Sequence, residues 1–130
     1  MKSRLMLLMI AAASVLTALP ARADYVDGDV LVEWAKEYRR AQAGTGSPLS
    51  HIYVRRFQVY VMGIHDAHDS LLVTSGAAPI FCTPNYLTVA QLSETVARFL
   101  ENHSERKHEP GSILVAAALA EAFPCKQLSP

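Results

Sequence analysis

The feature that most constrains this chain is a pair of cysteines, Cys82 and Cys125, its only two, behind what reads as an export signal. Lys2 and Arg4 precede a nearly unbroken apolar run from Leu5 to Leu19, and Ala21-Arg22-Ala23 follows as a small-x-small cleavage site. This pattern predicts a secretory signal peptide over residues 1–23 and one domain over residues 24–130. The alternative is an uncleaved anchor, but the run is short for a membrane span and a cleavage site follows it. No other stretch is apolar for long enough to cross a bilayer, so no stable membrane insertion is expected after cleavage. Two cysteines delivered to an oxidising compartment are expected to pair. Two free thiols are the alternative. A bridge would close a loop of roughly 44 residues, which restricts the unfolded chain by roughly 4 kcal/mol. That is a large share of what a small domain has in total.

The formal charge of zero is misleading. Losing Lys2, Arg4 and Arg22 with the leader leaves nine basic against twelve acidic side chains, or about −3. An acidic exported chain is a poor candidate for nucleic-acid binding. At about 107 residues the remainder suits one small domain, for which a disulfide or a partner subunit is a reasonable expectation.

Apolar periodicity is helical throughout. Val30, Leu31, Trp34, Ala35, Tyr38 and Ala41 recur at steps of three and four over 28–43, with Asp27 or Asp29 as the cap. Gly44 and Gly46 break this pattern. Ser47-Pro48 reads as an N-cap with proline at the first helical position. The helix it opens runs to about Ser70 with Leu49, Ile52, Tyr53, Phe57, Tyr60, Val61, Ile64 and Ala67 as its apolar stripe. Gly63 inside it suggests a close helix crossing. Residues 71–87 read as an irregular connection, long enough that it should be functional or tied down. Thr88-Val89-Ala90-Gln91 is a capping box opening a third helix that ends near His103. A fourth starts at Pro110 or Ser112 and stops at Pro124. No strand is convincing. The expected fold is all-α, a small bundle of about four helices stapled by one disulfide.

Three stretches invite a chemical reading. His65, His68 and Asp69 share a helix face and could hold zinc, with His103 or His108 as a distant fourth ligand. The plainer reading, which we favour, is the polar end of a long helix. Serine, histidine and aspartate are present, but no nucleophile elbow is, and a bridge would leave no thiol nucleophile. No enzyme activity and no cofactor or metal are therefore expected. The run 102–109 is a solvated turn or a recognition loop with Arg106, Lys107 and His108 available to a partner. In the 71–87 connection, Asn85 and Tyr86 could project from a stapled scaffold, where binding residues tend to lie.

The C-terminal segment resembles a known family. Phe81-Cys82-Thr83-Pro84, Thr88-Val89-Ala90-Gln91-Leu92, Val96-Ala97-Arg98-Phe99-Leu100, His103, and Ala118-Leu119-Ala120-Glu121-Ala122-Phe123-Pro124-Cys125 match the pattern of the Rap/Tai family of immunity proteins. Tyr60, Gly63 and Asp66 resemble the tyrosine-x-x-glycine segment of that family. Many relatives carry a second cysteine pair, and the matching places here hold Trp34 and Phe57, which are expected to touch instead. The resemblance implies a periplasmic helical protein, a homodimer, that inhibits a peptidoglycan amidase effector of a type VI secretion system by occluding its active site. It carries over no contact residue by number. The alternative is a small periplasmic chaperone without a dedicated toxin partner.

Overall fold

The computed structural model describes residues 26–126. The leader and its cleavage site lie outside them. Among the described residues four α-helices follow one another: α1 (Gly28–Gln42), α2 (Ser50–Ser75), α3 (Val89–Asn102) and α4 (Gly111–Ala122), with a single 3-10 turn over Ser104–Arg106. The described residues contain no strand, only one isolated bridge between Asp27 and Pro110. The all-α expectation is met, and so is the staple: Cys82 and Cys125 form a disulfide 43 residues apart in sequence.

The helix ends show which local signals acted. Asp27 caps α1 by accepting from the Val30 N–H at 2.8 Å, and Arg39 and Arg40 complement its C-terminal dipole. Thr88 and Gln91 form the full capping box of α3. The start of α2 differs from the expectation. Ser47-Pro48-Leu49 forms a turn before the helix, with the Ser50 N–H donating to the Ser47 carbonyl at 3.0 Å, and no side chain caps the helix. Buried Ser50, donating its hydroxyl to Glu37 at 2.7 Å, fixes the start instead. The other end of α2 lies beyond Ser70, because nothing breaks the helix until Gly76. That glycine takes the left-handed conformation (φ +65°) and returns its N–H to the Leu72 carbonyl.

The buried stripe of α2 is also displaced from the expected one. Phe57, Val61 and His68 are buried, whereas Leu49 and Ile52 are exposed. Val54 and Ile64 pack against the same core. Around them sit Leu31, Ala35 and Tyr38 of α1, Leu92, Val96 and Leu100 of α3, and Leu114, Val115 and Leu119 of α4. Helices α1 and α2 pack on one another most extensively, and α3 packs on both α4 and α2. Trp34 and Phe57 take different ring partners from those expected. Trp34 meets Tyr60 edge-on at 6.2 Å, and Phe57 meets Tyr38 at 5.5 Å. Because α1 and α2 run antiparallel, the two ring pairs sit one turn apart along the interface.

Gly63 does not mark a close crossing, since a Cβ there would meet nothing within 4 Å. The tight places are Gly28 and Gly111. The Gly28 N–H donates to the Glu109 carbonyl at 2.9 Å and the Gly111 N–H to the Val26 carbonyl at 3.0 Å, so the starts of α1 and α4 are paired backbone to backbone. A Cβ on Gly28 would overlap the Lys107 carbonyl and lie 2.8 Å from that of Glu109, and one on Gly111 would lie 2.8 Å from the Val26 carbonyl.

Between α1 and α3, Arg39 reaches Glu101 at 2.7 Å and also pairs with Glu94. The hydrogen bond from Arg39 holds the Glu94 carboxyl below the usual carboxylate range. Ser50, and then Arg40, lower Glu37 in the same way.

Gly28→Ala should cost about 1–3 kcal/mol through overpacking, whereas Gly63→Ala should stabilise by up to about 1 kcal/mol through helix propensity; urea unfolding of both variants measures the contrast. Carboxyls whose folded-state pKa is depressed stabilise the fold above their unfolded value and lose that contribution as pH falls through the folded one. Melting temperature should therefore drop as the solution is acidified through about pH 4.5, near which unfolded glutamates are half protonated. Arg39→Ala should flatten part of that decline.

Candidate binding surface

The connection between α2 and α3 is short of partners in its own backbone, so side chains from elsewhere hold it. Cys82 is bonded to Cys125 just past the end of α4, and its N–H donates to the Phe123 carbonyl at 2.9 Å. One residue earlier, Phe81 is 2% exposed and lies stacked on the His68 ring, centroid to centroid 3.8 Å. The Ile80 N–H donates to His68 Nε2 at 3.1 Å. Nε2 is therefore an acceptor, and the remaining proton sits on Nδ1, 3.1 Å from an Asp69 oxygen. On the next residue, Thr83 Oγ1 lies 2.7 Å from His65 Nε2. Residues 80–83 are thus gripped by a disulfide on one side and two histidines on the other.

The zinc reading spends those same histidines. Their ring nitrogens are directed at Ile80, Thr83, Asp66 and Asp69. His103 lies against Phe99 between Glu105 and Glu121, and His108 lies 3.1 Å from Asp29. Among the described residues no group of three or more histidine, cysteine or acidic side chains is arranged to hold a metal.

Beyond its anchors the connection displays what it carries. The Leu87 N–H closes a turn onto the Pro84 carbonyl at 3.3 Å, and Asn85 and Tyr86 project from that turn. Tyr86 is 80% exposed and Ile80 61%. The other loop is differently built. Arg106 forks onto Glu109 with bonds of 2.7 and 2.8 Å and lies over the Phe99 ring. That pairing raises the Arg106 pKa and lowers that of Glu109. Lys107 and His108 are exposed and lean on Asp29 of α1 at 3.7 and 3.1 Å.

The two loops do not form one site. The first is tied to the C-terminal end of α4 and the second leads into its N-terminal end, and the 12 residues of that helix separate them by about 18 Å. A model of the Rap1a immunity proteins matches residues 27–125, nearly all of the described chain. The chain belongs to this family. No curated protein and no solved structure gives a significant match. As a Rap1a immunity protein it acts by binding a partner effector. No helix among the described residues is long and apolar enough to cross a membrane.

Sequence reasoning missed the buried place of His68 and the exposed apolar side chains Val73 and Ile80. His68 was legible: Phe57, Val61 and His68 stand at i, i+4 and i+11, one continuous face. Ile80 was not, since nothing local says which way a loop residue points.

Cys82→Ser should lower stability by about 2–4 kcal/mol under oxidising conditions. His68→Ala should cost less globally but speed amide exchange at Ile80 and Phe81, because the acceptor and the stacked ring leave together. Exchange measured residue by residue separates the two effects.

Proposed function

We propose that this chain is exported to the periplasm by the leader over residues 1–23. There, we infer, it binds a peptidoglycan amidase effector of a type VI secretion system and blocks the active site. The observation that carries this reading is the family match over residues 27–125. The leader pattern and the disulfide, which needs an oxidising compartment, support the address. The activity is steric occlusion by a folded surface. It calls for no catalytic group and no cofactor. We also propose that the functional unit is a homodimer.

The connection over 76–88 is the better candidate for contact. Its backbone is anchored at Ile80, Cys82 and Thr83, so an exposed aromatic on it is presented without a large ordering cost on binding. Exposed tyrosine on a fixed frame is the kind of residue that dominates interface energies. Arg106 is already committed to Glu109, and Lys107 and His108 are partly occupied by Asp29.

The decisive experiment uses the mature chain, Asp24 to Pro130, as bait against secreted proteins of its source, followed by a peptidoglycan digestion assay of what is captured. One stoichiometric partner whose digestion stops on binding is the expected result. Many weak, acid-dependent clients would instead mark a chaperone. With that partner in hand, Tyr86→Ala should weaken binding about 10-fold or more, while Lys107→Glu leaves it near wild type.

A further inference from the structure

The surface of the molecule is uneven in charge. From Phe57 to Ala97 the sequence holds no lysine or arginine, and its acids are Asp66, Asp69 and Glu94. Glu94 is taken up by Arg39. Asp66 and Asp69 stand on the C-terminal half of α2 with side chains 70% and 56% exposed. Val73, at 87%, is the most exposed large apolar side chain described. These three lie at i, i+3 and i+7, so they share one helix face. Ile80, also exposed, is bonded through its N–H to His68 of the same helix.

The face is also held in shape. His65 Nδ1 lies 3.6 Å from Asp66 and 3.7 Å from Asp69, and His68 Nδ1 lies 3.1 Å from Asp69. The opposite nitrogens of those rings grip Ile80 and Thr83. Asp69 is thus held by His68 before any partner arrives, which reduces the cost of binding.

Peptidoglycan stem peptides carry free carboxylates. An amidase that cuts them must present cations along its substrate cleft, since carboxylates are bound by Arg and Lys at short range. We propose that the Asp66–Asp69–Val73 face enters that cleft. Asp66 and Asp69 occupy places that substrate carboxylates would take, and Val73 supplies the buried apolar contact. This rests on the amidase reading above and adds to the connection named there a surface on α2 and the chemistry of the partner that meets it.

The test uses purified type VI amidases, one of each cleavage specificity, with the oxidised mature chain. Wild type should bind and inhibit at least one, with affinity that falls as sodium chloride rises. Asp66→Lys should weaken that binding about 10–100-fold and reduce its salt dependence. Val73→Lys, a change at a site almost wholly in solvent, should weaken it with an unchanged melting temperature and so excludes unfolding as the cause. An amidase inhibited equally by wild type and Val73→Lys overturns this face and leaves the amidase reading intact. If wild type binds none of them, the amidase reading falls and the cleft argument falls with it.

Discussion

The structure depends on how four residues, Ile80 to Thr83, are held between α2 and α4. They have no helix or sheet of their own to join, so their polar groups are satisfied from outside. Two kinds of attachment act together. The disulfide ties Cys82 to the end of α4, and its effect is greatest on the unfolded chain. The histidines act on the folded chain, where His68 accepts from Ile80 and stacks on Phe81 and His65 meets Thr83. Either alone would leave the segment a way out. Together they bring one residue of the connection, Phe81, into the core at 2% exposure.

That arrangement explains what the sequence could and could not tell. Helix type and number were legible because apolar side chains at steps of three and four leave few alternatives. The α3 cap was legible to the residue, since Thr88 and Gln91 satisfy each other's backbone locally. The end of α2 was not, because the polar cluster His65 to Asp69 looks like the frayed end of a helix. It is instead the start of the grip on the loop: His68 continues the buried face of Phe57 and Val61, and Phe81 lies over it. Glycine misled for a related reason. Gly63 sits mid-helix facing open space, whereas Gly28 and Gly111 do the close packing, and their closeness is set by backbone pairing between segments more than 80 residues apart.

The surface proposed to meet the partner was the least legible part, for a physical reason. A catalytic site needs particular residue types at particular spacing, and that leaves a trace in sequence. A steric inhibitor needs only shape, apolar area and charge on a firm frame, and any exposed residue can provide these. Asn85 and Tyr86 could be nominated because turn chemistry places them outward. Val73 and Asp66 belong to a helix face whose exposure depends on where every other helix lies.

The two ends of α4 have different demands on them. At its N-terminus Gly111 meets Val26, and Gly28 lies against the carbonyls of Lys107 and Glu109, so backbone touches backbone and even a methyl group does not fit. At its C-terminus the disulfide and the histidines hold a segment whose neighbours, Ile80 and Tyr86, face solvent. The solvent-facing side chains of Ile80 and Tyr86 can change size and charge with little consequence for the fold, because the anchors use the Ile80 backbone, the Phe81 ring, the Cys82 bridge and the Thr83 hydroxyl. The proposed binding role needs that separation within one segment: what faces solvent is free to vary, what faces the helices is held, and the backbone pairing at the first end lies about 18 Å away along α4.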